Sequence, residues 1–286
     1  IDSCHSMAAF APALPAALRA ATRRSLATLT TRRVAVDGDV SLHCVTAGEV
    51  TGKPALLCVP GAMGTVETDF APQLEALSDV FQVVSFDPRG YGRSRPPKRT
   101  FPSGFYERDA ADAAAVMREL GHARYALLGW SDGAISAVIQ ASREPAAVEK
   151  LVIFGGSAYF SEADVAAFEA TRDVAGTWSE RMKATHLPVY GDDLQPMWGA
   201  ACDAWAEYVR GPRRGDVCMR EAKRVACATL VCHGAKDPLC LAEHPAWFVA
   251  NMHRARGWTH PEGKHNLHLR FADEFNAVVR AFLLEG

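Results

Sequence analysis

"LLGWSDGAISAVI", residues 127–139, decides the fold. An apolar run, Tyr125 to Leu128, stops at Gly129-Trp130-Ser131-Asp132-Gly133, and a second apolar run of helix-compatible composition starts at once. A strand that passes into a helix through Gly-x-Ser-x-Gly forces the serine into a tight, strained turn. Glycine is needed on each side because a Cβ there meets the neighbouring strand or helix. The turn lifts the serine Oγ to the carboxyl edge of the sheet, where open α/β sheets bind ligands. The pentapeptide alone is a weak signal; the flanking strand and helix give it weight.

Working outward, the same alternation continues. "VAVDGDVSLHCVTAG", from Val34, alternates around Asp37-Gly38-Asp39 and reads as an antiparallel hairpin. "ALLCVPG" and "FQVVSFDPRG" are short apolar runs closed by Gly or Pro, as buried parallel strands are, and "KLVIFGG" and "ATLVCHG" repeat the pattern. "ERDAADAAAVMREL" is helical by composition and ends at Gly121, while "LRFADEFNAVVRAFLL" places apolar residues at 271, 275, 278, 279 and 282, an amphipathic closing helix. Strands alternating with helices imply an α/β class with a mostly parallel sheet covered on both faces. Residues 157–224 break the rhythm. They offer helical segments bearing Trp178, Tyr190, Trp198, Trp205 and Tyr208, interrupted by Pro188, Pro196 and Pro212, and read as a helical cap over the sheet's carboxyl edge. Its aromatics are expected to pack chiefly with one another.

Composition narrows the function. The chain has 286 residues, 49% hydrophobic and 22% charged, enough for one domain with a sizeable core. A formal net charge of −2 gives no basic field for nucleic acid. No apolar stretch reaches about 18 residues, so no membrane span is expected; the sequence does not fix the oligomeric state, and a monomer is favoured. The eight cysteines lack paired zinc spacing and read as reduced, structural thiols. Residues 1–33 read as a leader. No acid lies between Asp2 and Asp37, and Arg19, Arg23, Arg24, Arg32 and Arg33 gather there, with Leu14, Leu18 and Ala21 on one helical face. That is the composition of a mitochondrial transit peptide starting at Met7, followed by the main domain at 34–286.

A serine hydroxyl needs a base, and the base needs a carboxylate to orient it. In this architecture the order is Ser, acid, His. "VCHGAKDPLC" delivers Asp237 in the loop after an apparent strand, and no acid directly follows "LVIFGG". "PEGKHNLHLR" offers His265 ahead of the final helix; His260 and His268 are expected in surface or capping roles, and His233 in a structural one. The oxyanion requires two backbone donors: Asp132, directly after the serine, and Ala62 in the loop Gly61-Ala62-Met63-Gly64. "GYGRS" lacks a third glycine and runs into Pro96-Pro97, against dinucleotide binding, and the histidines near 265 lack a matching acid or cysteine pair. Neither a cofactor nor a metal is expected.

The Gly129–Gly133 motif, "FDPRGYGRSRPP", "HGAKDPL" and "PEGKHNLHLRFADEF" together resemble the α/β-hydrolase superfamily, and within it the valacyclovir hydrolase, or biphenyl hydrolase-like, group. The likeness runs from about Val34 to the C-terminus. It implies a serine hydrolase that cleaves esters of α-amino acids, with Ser131, Asp237 and His265 as the triad, and an Arg-rich leader directing it to mitochondria. It also implies that the Asp132 side chain holds the substrate's ammonium group. Two positions depart from the pattern: Ala134 replaces a third glycine, where a methyl narrows the pocket floor, and Ala62-Met63 replaces a bulkier pair, with Met63 expected at the substrate's acyl group. Two other readings stand beside this one. A carbon–carbon bond hydrolase of the biphenyl-degradation type takes anionic diketo acids, which an acid at 132 repels. A non-catalytic binding protein on the same fold is disfavoured by the intact Ser/Asp/His set.

Overall fold

Eight strands form one sheet in the computed structural model, which describes residues 29–49 and 52–286. They are β1 (Leu29–Asp37), β2 (Val40–Ala47), β3 (Ala55–Val59), β4 (Gln82–Phe86), β5 (Tyr125–Trp130), β6 (Val148–Phe154), β7 (Ala228–Gly234) and β8 (Ala255–His260). Across the sheet the order is β1-β2-β4-β3-β5-β6-β7-β8. The β1/β2 and β2/β4 pairs are antiparallel, and every other pair is parallel.

The apolar runs are long because both faces of the sheet are covered. Successive residues of a strand point to opposite faces. In β3, Leu57 and Val59 enter one core while Leu56 and Cys58 enter the other; in β5, Leu127 enters the first and Ala126 and Leu128 the second. The first core contains residues of helices Phe105–Glu119 and Asp132–Arg143, and the second those of helices Ala71–Leu77 and Ala272–Leu284. No alternation of polar and apolar residues survives where both faces are dry.

Two edge features differ from the sequence reading. β1 begins at Leu29, so residues 29–33, assigned above to the leader, are paired with 43–47 of β2. Arg33 bonds the Ser41 side chain and the Arg93 carbonyl. The leader's remaining residues, 1–28, lie outside the described residues. β8, which the sequence reading lacks, pairs only with β7 among the described residues and is mostly half-exposed, so it carries no apolar run. Seven cysteines are free thiols among the described residues, six of them buried. No helix there is long and apolar enough to cross a membrane.

Between β6 and β7 the chain forms helices Glu162–Glu169, Val174–Thr177, Glu180–Tyr190, Leu194–Arg210 and Met219–Ala222. Pro196 sits in the first turn of its helix, where a missing N–H breaks no bond, whereas Pro188 lies inside Glu180–Tyr190. Trp198 stands edge-on to both Trp178 and Trp205, at 5.0 and 5.2 Å between ring centres. Not all of these aromatics serve only each other. Tyr190 donates to the Met63 carbonyl (2.8 Å) and Trp205 to the Tyr106 hydroxyl (2.9 Å), so the insertion is bonded to the loop after β3 and to helix Phe105–Glu119.

Candidate active site

β5 ends at Trp130, and Ser131 takes φ 56° and ψ −124° before helix Asp132–Arg143 begins. A left-handed φ is costly for a side chain with a Cβ and persists only where the surroundings impose it. Here the glycines do so. A Cβ on Gly133 would lie 2.1 Å from the Val59 carbonyl oxygen, and one on Gly129 2.6 Å from that of Gly133. Ala134 does not narrow the pocket floor, because it is fully buried. Its methyl fills the space beside Gly156, whose own Cβ would stand 2.6 Å away.

Three separated segments meet at the serine. His265 Nε2 lies 3.1 Å from Ser131 Oγ, and His265 Nδ1 lies 2.9 Å from Asp237 Oδ2. Asp237 Oδ1 also accepts the N–H groups of Leu239 (2.9 Å) and Cys240 (3.0 Å). Burial tends to raise the Asp237 carboxyl, but the charge and hydrogen bond of His265 and those two N–H groups hold it below the usual range. For His265, burial works toward the neutral ring; the charge and hydrogen bond of Asp237 outweigh it and raise its basicity. Trp130 Nε1 donates to the His265 carbonyl (2.9 Å) and fixes the backbone of that loop. A carboxylate accepts only, so Nδ1 carries the ring proton and Nε2 faces Ser131 as an acceptor.

The loop after β3 abuts Ser131: a Cβ on Gly61 would lie 3.1 Å from Ser131 Cβ, which puts the neighbouring Ala62 beside it. Asp132 opens its helix, where first-turn N–H groups have no partner within the helix. Met63 is fully buried with φ 58°, so its side chain belongs to the core and its carbonyl faces Tyr190. Beneath the loop lies Asp69, which sequence reasoning missed. Its Oδ2 accepts the Gly61 N–H (3.0 Å), and its buried carboxyl is pushed up to about 7 by loss of solvent.

The Asp132 side chain is only half satisfied. Oδ1 accepts the Tyr106 hydroxyl (2.7 Å), which in turn accepts Trp205 Nε1. Oδ2 is buried and has no hydrogen-bond partner among the described residues, although the residue as a whole is partly exposed. Burial pushes its pKa up to about 6, against the Tyr106 hydrogen bond and the nearby Arg99. Tyr106 gave no signal in the sequence, and Trp205 was expected only to pack within the cap, since their roles arise from contacts between distant segments.

The neighbouring histidines are not surface groups. His268 is fully buried between Trp130 and Phe154, donates to the Asp69 carbonyl (2.9 Å), and is pushed down to about 3 by burial. His260 is also buried, stacked 4.0 Å from Phe271. His233, at the end of β7, is buried and lowered by that burial. Two clusters have the composition of metal ligands, His233-Asp237-Cys240 and Asp164-Glu243-His244. In both, the aspartate is already engaged, Asp237 as above and Asp164 by His244 (2.7 Å) and Ser161 (2.6 Å).

Comparison with known proteins agrees with this architecture. Residues 54–210 match the family model for the alpha/beta hydrolase fold. Serine hydrolase BPHL of Homo sapiens is 44% identical over 259 residues, covering 89% of this chain and 87% of the human protein. Among solved structures, an enol-lactonase from Burkholderia xenovorans LB400 superposes with a TM-score of 0.71 at 24% identity, over 89% of this chain and 100% of that one. A 2-hydroxy-6-oxo-6-phenylhexa-2,4-dienoate hydrolase from Rhodococcus sp. strain RHA1 gives 0.76 at 17% identity, over 91% and 100%. At those identities the two structures speak to the fold alone.

Proposed function

We propose, since this chain belongs to the α/β-hydrolase family, that it is a serine hydrolase cleaving esters of α-amino acids through an acyl-enzyme on Ser131. His265 Nε2 takes the proton from Ser131 Oγ as that oxygen attacks the ester carbonyl. The N–H groups of Asp132 and Ala62 receive the developing oxyanion, each such donor being worth about 3 kcal/mol in the transition state. His265 then protonates the leaving alkoxide, and the acyl-enzyme forms. Water attacks next, His265 takes its proton and returns it to Ser131 Oγ as the acyl–oxygen bond breaks, and the free amino acid leaves. Asp237 keeps the ring in the required tautomer throughout.

The observation that carries the substrate class is the buried, unpartnered Oδ2 of Asp132, next in sequence to the nucleophile. An uncompensated anion there opposes the oxyanion; a substrate ammonium neutralises it and fixes the carbonyl over Ser131. A carbon–carbon bond hydrolase acting on diketo acids would instead bring a second anion to that carboxylate. The deciding experiment is a panel of paired esters, with free and N-acetylated α-amines, on the purified enzyme. A large preference for the free amine supports the reading, and equal rates overturn it. Ser131→Ala should abolish both turnover and fluorophosphonate labelling, and unchanged labelling would remove Ser131 as nucleophile. The Arg-bearing leader supports a mitochondrial address: residues 7–28 fused to a reporter should carry it to mitochondria, and a cytosolic reporter would reject that address.

A further inference from the structure

The tyrosine and tryptophan behind Asp132 form a chain with only one possible polarity. An indole N–H can only donate, so the Tyr106 oxygen must accept from Trp205 at 2.9 Å. A phenol has a single proton, and Asp132 Oδ1, an acceptor at 2.7 Å, receives it. Tyr106 and Trp205 are both buried. Tyr106 projects from helix Phe105–Glu119 and Trp205 from helix Leu194–Arg210 of the insertion, so the chain links the cap to the elbow through two hydrogen bonds.

From this geometry we propose that Tyr106 and Trp205 are positioning residues for substrate selection: they tie up Asp132 Oδ1 and so present Oδ2 alone to the substrate's ammonium group. The inference rests on the α-amino ester reading and deepens it. Without the Tyr106 donor, the carboxylate can rotate about its Cβ–Cγ bond and has no preferred oxygen to offer. Without Trp205, the Tyr106 hydroxyl loses the donor that fixes where its proton points. The arrangement makes recognition of the amine depend on the cap being seated, because Trp205 reaches Tyr106 only from the docked insertion.

The charged and titratable groups around Asp132 define what else a pH measurement would sense. Arg99 and His265 favour the carboxylate and Asp109 opposes it, while Tyr91 and Tyr208 also lie within its field. Arg99 is paired with Asp109 at 2.6 Å. Of the neighbours, Tyr106 alone donates a hydrogen bond to the Asp132 side chain among the described residues, and that bond favours ionisation.

The test compares wild type, Asp132→Asn, Tyr106→Phe and Trp205→Phe on esters with free and with N-acetylated α-amines. Tyr106→Phe should lower the ratio of kcat/KM values, free over acetylated, by about tenfold, mostly through KM. Trp205→Phe should lower it about threefold. In Tyr106→Phe the acid limb of the free-amine profile should also move to higher pH, because a donor that favours the carboxylate has gone. A merely structural role would lower both ester classes equally and leave that limb in place; either result overturns the proposal. If wild type shows no preference for the free amine, the α-amino ester reading falls and the proposal falls with it. If wild type prefers the amine, Asp132→Asn loses that preference and Tyr106→Phe keeps it, the reading stands and this proposal alone is wrong. Should Tyr106→Phe fail to fold, Trp205→Phe decides, since it leaves the contact to Asp132 in place.

Discussion

The loop after β7 and the turn after β5 each bring one aspartate within the electrostatic reach of His265, and they treat it in opposite ways. For both Asp237 and Asp132, loss of solvent is the largest influence and works against the charge. Asp237 answers it with two backbone N–H groups and the His265 ring, and stays ionised below the usual carboxylate range. Asp132 answers it with the Tyr106 hydroxyl on one oxygen only, and is pushed up to about 6. Burial alone therefore does not set a carboxylate's behaviour; the number of donors aimed at it does. The hydrogen bonds described at Asp237 engage both its oxygens, whereas those at Asp132 engage Oδ1 and leave Oδ2 without a partner among the described residues.

That contrast breaks most visibly at Asp237. Asp237→Asn should favour the wrong tautomer of His265 and lower kcat by about 10⁴ on free-amine and acetylated esters alike. Steady-state rates on the two ester classes check this, and a loss confined to one class would mean that Asp237 contacts substrate rather than the ring. Asp132→Asn should do the reverse. It keeps the backbone N–H but loses the charge, so kcat/KM for free-amine esters should fall about ten- to a hundredfold, while esters lacking an amine lose little.

Acidity sharpens the comparison further. Hydrolysis of any ester should rise with pH as His265 loses its proton, at a pH above the ring's ordinary value. Free-amine esters additionally need Asp132 ionised, near pH 6, so their acid limb should be steeper than that of simple esters. Their advantage should then fade above about pH 8 as the α-amine deprotonates. Parallel limbs for the two classes would remove Asp132 from recognition.

The smallest expected effect is on stability. An acid whose folded pKa is raised costs stability once pH exceeds the unfolded value near 3.8, and the cost levels off above about 6. Asp132→Asn should thus be more stable than wild type at pH 8, by about 1 kcal/mol or more, a rise of about 2–4 °C in Tm. The gain should vanish below pH 4. Asp237, with its folded pKa lowered, contributes in the opposite sense: its stabilisation is present above pH 4 and disappears as the pH falls further. Thermal melts at the two pH values separate them.

The interior of this fold was far more legible than its margins. Doubly buried strands such as β3 and β5 print unbroken apolar runs, and the elbow glycines announce themselves because a Cβ at 133 meets the Val59 carbonyl. β1 and β8 are edge strands whose exposed residues are polar, so "LTTRR" read as leader and "ARGWTH" read as nothing. The Ser131–His265–Asp237 set was readable because chain order and strand ends constrain it. His268 was misplaced because its burial comes from Trp130 and Phe154, more than 100 residues away in sequence. Asp69, Tyr106 and Trp205 are ordinary residues in ordinary patterns; only the packing of one element on another brings them to Gly61 and Asp132.

The contact between Ala134 and Gly156 reaches beyond this one chain. A single methyl-sized space separates the helix after the elbow from the segment after β6, and here it is filled from the helix side. The two positions should therefore not vary independently over evolutionary time. A relative with glycine at 134 can take alanine at 156 with a small adjustment around the Ser131 carbonyl, 3.1 Å from the added Cβ. A relative with alanine at both must move the helix, and with it the backbone that carries Ser131. Substitutions at the two sites should accordingly be correlated across the family, and Gly156→Ala in this chain should become tolerable only alongside Ala134→Gly.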